Sequence, residues 1–145
     1  MIYTAKTRRA MEIAYKAHHG QVDKAGVPYI FHPIHLAEQM DTEEECIVAL
    51  LHDVVEDTEV TFEQLEKEFS ETVIQALRLL MHDDSIKYME YIKKLKYNPI
   101  AKKVKEKDLK HTSDLTRLPE ITEKYKKRQA KYLKAIQILS EEAKV

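Results

Sequence analysis

The sequence predicts an all-α fold in one domain over residues 1–145, and three observations carry that expectation. Only two glycines and four prolines occur in 145 residues, too few breakers for a fold of many short strands and tight turns. Charged residues make up 34% of the chain, against an ordinary share of about 25%, which suits helices with long solvated faces. Apolar residues recur at three- and four-residue spacing through most of the chain, the period of a helix with one buried stripe.

Each element follows from local signals. Residues 4–19 place Ala10, Ile13, Ala14 and Ala17 on one stripe. Residues 20–31 hold both glycines and Pro28 and form the main loop. A short helix is expected after Pro33, because proline suits a first turn. Thr42 with Glu45 reads as a capping box that opens one buried central helix through CIVALLHDVVED. Thr61 with Gln64 is a second box, opening TFEQLEKEF. A helix over roughly 71–82 follows, then one capped by Asp84 or Ser85 and running to Tyr97. Asn98-Pro99 restarts the chain in the helix that carries Asp108, and Pro119 ends that segment. The last helix, about 121–142, puts Tyr125, Tyr132, Leu133, Ile136 and Leu139 near one face, with the basic cluster 124–128 on its solvated side.

Several function classes are disfavoured. The net charge of −1 advertises neither nucleic acid nor a membrane surface. A single cysteine, Cys46, cannot form an internal disulfide and has no basic neighbour within a helical turn, so it reads as a buried structural thiol. The N-terminal stretch is interrupted by charge and reads as neither a signal peptide nor a span, which leaves a cytoplasmic protein as the expectation.

The chemistry is concentrated at His52-Asp53, inside an otherwise apolar run. A buried carboxylate beside an imidazole needs compensation, and a divalent cation supplies it. Adjacent helical residues diverge by about 100°, so both can lean toward one ion only near a helix end. Glu56 and Asp57 follow three and four residues after Asp53 on the same face; two such carboxylates can move protons for a water or a leaving oxygen. Acids at a helix C-terminus oppose the macrodipole, which points to a purpose other than stability. A second copy of the dipeptide, His82-Asp83, sits at a helix junction and reads as capping or as support behind a site rather than as a ligand pair. His32, leaving the loop at a helix start, and Asp108 complete a His/His/Asp/Asp set suited to Mn²⁺, Fe²⁺, Co²⁺, Ni²⁺ or Zn²⁺ rather than Ca²⁺.

The stretches AHHGQVDKAGVPYIFHPIHLA, ALLHDVVEDT and VKEKDLKHTSDLTRL resemble the hydrolase domain of RelA/SpoT enzymes and the small alarmone hydrolases over about Ala17 to Leu118. The resemblance implies a helical HD-domain bundle that binds one Mn²⁺ and removes pyrophosphate from the 3′ position of guanosine tetra- and pentaphosphate. It implies metal ligation by His32, His52, Asp53 and Asp108, catalytic roles for Glu56 and Asp57, and a nucleotide contact for Lys24. Lys105 and Lys107 are further candidates for phosphate, and Thr112 stands where the pattern has a nucleotide-holding asparagine. His111, one turn past Asp108, would support the metal site; His18, His19 and His35 lie near the cleft.

The chain departs from the pattern at three places. Asp23 replaces an arginine that packs on guanine, Thr112 replaces the asparagine, and Glu106-Lys107 replace apolar residues before Asp108. The metal set is intact while the guanosine-reading set is altered. The substrate is therefore an alarmone or another nucleotide or phosphate ester, with a nucleotide-binding module and a helical adaptor as the rival classes. A homo-oligomer is left open.

Overall fold

In the computed structural model, which describes residues 1–141, the chain is helical as the scarcity of breakers predicts. The elements in order are α1 (Ala5–Ala17), α2 (Phe31–Ala37), α3 (Glu43–Leu51), α4 (Val54–Asp57), α5 (Phe62–Glu66), α6 (Glu71–Leu80), α7 (Tyr88–Leu95) and α8 (Pro99–Thr112). A 3₁₀ turn at Leu115–Arg117 and α9 (Glu123–Ser140) follow. Among the described residues the β pairing is one isolated bridge, Val22 with Pro28.

The core is built around α3. Cys46 through Leu51 are all buried, so beyond its acidic first turn this helix has no solvated face, and it packs against α1, α2, α6 and α8. Truncating a side chain as enclosed as Leu50, with no exposed surface, costs about 2–5 kcal/mol in such a setting. α9 lies on α7 and α8, with Ala135 and Leu139 fully buried.

The helix starts follow side-chain chemistry. Thr61 and Gln64 form the expected reciprocal box. Thr42 caps α3 through the amide of Glu45 at 3.2 Å, but Glu45 does not return the bond. Its carboxylate takes the Asp41 amide at 3.0 Å and Lys103 at 2.8 Å, because a cation from α8 outcompetes the local amide. Asn98 caps α8 with Pro99 in the first turn. Thr4 and Thr7 make a further box at α1.

Four expectations are corrected. α2 begins at Phe31, before Pro33, so His32 is already in its first turn. α6 stops at Leu80, and His82-Asp83 lies in the loop beyond it. α7 opens at Lys87 without a side-chain cap; neither Asp84 nor Ser85 caps it, because Asp83 has already turned the chain by accepting the Ser85 amide at 2.9 Å. α9 spans Glu123–Ser140, with expected residue 142 outside the described residues, and Leu133 is 52% exposed rather than on the packed face.

The fifth correction matters most for function. The central helix is not continuous through Asp57: it breaks at His52 and Asp53 and resumes as α4. His52 Nδ1 lies 2.6 Å from the Ala49 carbonyl, the oxygen that a continuing helix would offer to the Asp53 amide. Asp53 then adopts φ −107°, ψ 0°, outside helical geometry.

Candidate metal centre and cleft

The break at 52–53 removes the divergence that a regular helix would impose on adjacent side chains. His52 Nε2 and Asp53 Oδ2 come to 2.8 Å. α2 brings His32 alongside, its ring centroid 5.3 Å from that of His52. His32, His52 and Asp53 each offer one ligand atom, and these atoms all lie within 4.8 Å of one another. From α8, Asp108 Oδ1 reaches 2.9 Å from His32 Nε2 and 3.9 Å from His52 Nε2. Asp108 is not in the tight set of three, and its other oxygen pairs with Lys105 Nζ at 3.0 Å.

The donor chemistry fits a divalent transition cation. His52 is buried, and its Nε2 has no hydrogen-bond partner even though the Asp53 carboxylate is close. With Nδ1 committed to Ala49, Nε2 faces the two carboxylates, 2.8 Å from Asp53 Oδ2 and 3.9 Å from Asp108 Oδ1, the arrangement that prepares an imidazole for a metal. Two imidazoles and two carboxylates form an N/O set suited to Mn²⁺ and its neighbours.

The electrostatics describe the same gap. Burial would lower the pKa of His52, but Asp53 and Asp108 outweigh it and push the imidazole up to about 9. Burial would raise Asp53, and His52 reverses this, bringing the carboxyl down to about 2. Asp108 is held well below the usual carboxylate range against its burial, chiefly by Lys105. His111 Nδ1 lies 2.7 Å from His32 Nδ1 with the rings stacked; burial and its imidazole neighbour push it down to about 4, so it meets His32 as a neutral ring.

The centre forms the floor of a cleft of about 610 Å³, within the usual size for a nucleotide-scale ligand. Glu56 and Asp57 of α4 line it, and partial burial followed by the charge of Asp53 raises both carboxyls above their ordinary values. Lys24 lines the mouth, 5.8 Å from the Tyr125 ring. Lys105 lies deep in the cleft but is ion-paired with Asp108. Lys107 does not line the cleft. Thr112 does, yet its hydroxyl donates back to the Asp108 carbonyl at 2.9 Å. His18 is buried against Tyr29, exposed His19 packs on Tyr15, and exposed His35 packs on His111; none joins the three-residue cluster. Cys46 is buried and free, and burial pushes its thiol up.

Sequence reasoning missed three cleft residues, Arg117, Arg128 and Lys131. Arg117 donates to Asp23 Oδ2 at 2.7 Å across 94 residues, so a guanidinium stands at the rim beside the acid that replaces the pattern's arginine. Arg128 was assigned to a solvated face, but it lines the cleft with Lys131, whose ammonium sits 4.1 Å from the Tyr88 ring. Tyr29, which the sequence places in the core or the cleft wall, does line the cleft, and it donates its hydroxyl to Asp53 Oδ2, a partner the sequence does not indicate. No short-range pattern marks any of these, since each depends on how distant helices pack.

The HD-domain family matches residues 10–137. A guanosine-3′,5′-bis(diphosphate) 3′-pyrophosphohydrolase of Aquifex aeolicus is 38% identical over 90 residues, 59% of this chain and 13% of that protein. One of the same name from Haemophilus influenzae is 41% identical over 80 residues, 52% of this chain and 12% of that protein. The chain thus spans a small part of these curated relatives, down to 8% of the RSH1 protein of Arabidopsis thaliana. A solved structure described as a metazoan ortholog of SpoT that hydrolyzes ppGpp superposes with a TM-score of 0.76 at 27% identity, covering 97% of this chain and 88% of that one. No helix among the described residues is long and apolar enough to cross a membrane. The matched region takes in the broken helix, both histidines and both aspartates of the floor; RelA/SpoT-type proteins are among those the chain is similar to, and the chain belongs to the HD-domain family.

Proposed function

We propose that the chain acts as a single HD domain hydrolysing the phosphate esters of nucleotides. In this reading His32, His52, Asp53 and Asp108 hold one divalent transition metal, Mn²⁺ first among them. The leading substrate is guanosine 3′,5′-bis(diphosphate), cleaved at its 3′ pyrophosphate. One observation carries the reading: three ligand atoms within 4.8 Å of each other lie beneath two raised carboxyls in one cleft. The similarity to 3′-pyrophosphohydrolases and to a ppGpp-hydrolysing structure supports the substrate.

A divalent cation bound there supplies electrostatic neutralisation of phosphate oxygens and makes nearby water more acidic. The remaining work falls to side chains. Glu56 and Asp57 are placed to take the proton of the attacking water and to return one to the leaving oxygen, and their raised pKa values favour such exchange. The water oxygen forms the new P–O bond, the bond to the 3′ oxygen breaks, and that oxygen takes the proton. Lys24, Arg128 and Lys131 supply positive charge along the opposite wall. The ion pair to Asp108 makes Lys105 a brace for that ligand before it can be a phosphate contact.

A different nucleotide is the second reading, favoured by the state of two residues. The Thr112 hydroxyl is committed to its own helix, and Asp23 is committed to Arg117, so neither offers what the guanosine pattern asks of its position. Incubation with Mn²⁺ and a nucleotide panel including guanosine tetraphosphate, followed by chromatography, tests both. Release of pyrophosphate from guanosine tetraphosphate supports the first reading. Turnover of another member alone supports the second, and binding without product from any member refutes hydrolysis.

A further inference from the structure

The loop before α2 grips the centre from outside the ligand set, and its grip ends on a tyrosine. The Tyr29 hydroxyl donates to Asp53 Oδ2, the oxygen that also faces His52 Nε2. Tyr29 is itself held at several points. Its amide donates to the Gln21 carbonyl at 2.8 Å, and its carbonyl accepts the His32 amide at 2.9 Å. Its ring packs on His18 at 4.8 Å and on His32 at 5.6 Å between centroids. His18 is 2% exposed, and its Nδ1 meets Gln21 Oε1 at 2.8 Å. The Gln21 amide then donates to the Asp57 carbonyl at 3.2 Å. One loop therefore touches the Asp53 carboxylate through Tyr29 and the end of α4 through Gln21.

Asp53 needs such a hold. It sits at the break between α3 and α4, where no helical backbone fixes it, and its side chain is 20% exposed at the cleft. A carboxylate free to rotate would present either oxygen, or both, to a cation. A phenol donating to Oδ2 selects one rotamer and leaves Oδ1 unconstrained by it. From this geometry we infer that Tyr29 is the positioning residue of the metal centre: its hydroxyl sets the Asp53 carboxylate before a cation arrives. The inference rests on the metal site of the proposed function, and it assigns Tyr29 no contact with substrate. Hydrogen-bond donors behind metal ligands are commonly worth about 10- to 100-fold in metal affinity.

The test is Tyr29→Phe, which removes only the oxygen, read by calorimetric Mn²⁺ titration of the full chain and by chelator competition from the metal-loaded protein. The expected result is an Mn²⁺ Kd weakened about 10- to 100-fold, with far-UV circular dichroism unchanged and kcat recovered at saturating Mn²⁺. A Kd within twofold of wild type overturns the inference. So does a variant that fails to fold even with Mn²⁺ present, since the hydroxyl would then be a folding element. Loss of kcat that saturating Mn²⁺ does not restore also overturns it, because Tyr29 would then act on substrate. Wild-type protein that binds no Mn²⁺ would sink the metal site itself, a failure visible in the same titration before any variant is made.

Discussion

His52-Asp53 and His82-Asp83 are the same dipeptide, and the molecule uses them in opposite ways. The first follows six buried residues of α3 and interrupts a helix in the core. Its histidine has one nitrogen on a backbone carbonyl and the other against the buried Asp53 carboxylate at 2.8 Å, without a hydrogen bond. The second follows α6 in an open loop. There His82 Nε2 meets the Ile86 carbonyl at 2.9 Å, and exposed Asp83 accepts the Ser85 amide. Both of its members are satisfied by neighbours within four residues. The comparison teaches that the dipeptide carries no function by itself. Burial removes water as the partner, and only then does the pair need a cation.

The largest expected effect breaks the pair most plainly. Asp53→Asn should lower turnover about 10³-fold or more and abolish stoichiometric metal by elemental analysis. Asp83→Asn should leave both within twofold and change Tm by about 2 °C or less. Equal losses in the two variants would refute the distinction.

Next in size is Glu56→Gln. Removing a proton-transfer group should reduce kcat about 10²- to 10⁴-fold. The raised pKa of Glu56 means that folding favours its protonated form. Its contribution to stability is full below its unfolded pKa and is lost as pH rises through the folded one. At neutral pH the ionised group is thus a burden, and the variant should hold its Tm or gain up to about 2 °C by calorimetry. A cooler, inactive variant would show a structural role instead.

A smaller effect is graded with pH. Protons and cations compete for His52, whose imidazole is pushed up to about 9 without metal. Apparent Mn²⁺ affinity should rise about tenfold per pH unit below that value if one proton is displaced. The protonated His52 stabilises the metal-free fold fully below its unfolded pKa and progressively less as pH approaches 9. The Tm gain from Mn²⁺ should therefore be larger at pH 8.5 than at pH 6.5. His82 also lines the cleft but lies outside the ligand cluster, so His82→Ala should leave this dependence intact.

Much of the cleft floor was legible in the sequence because its spacing is local or its chemistry is costly. His52-Asp53 inside CIVALLHDVVED stood out as charge buried without a partner, and Glu56 and Asp57 followed from helical period. Thr61, Asn98 and Pro99 announced helix starts through side chains that satisfy amides a few residues away. The break at 52–53 was not legible: no glycine or proline marks it, and it rests on His52 Nδ1 taking the Ala49 carbonyl in a packed core. The Asp84 or Ser85 cap failed because Asp83 competed for the same turn.

The sequence by itself determined helices, several of their caps, the apolar run that buries α3, and the residue types able to hold a cation. These depend on interactions within about one helical turn, where spacing along the chain is spacing in space. Tertiary structure alone decided which distant groups meet. It set Tyr29 against Asp53, Arg117 against Asp23 across 94 residues, His32 against Asp108 on the cleft floor, and Arg128 into the wall rather than into solvent. Those pairings follow from how α2 and α8 pack on α3 and α9 packs on α8, and packing is a property of filled volume that no local period encodes.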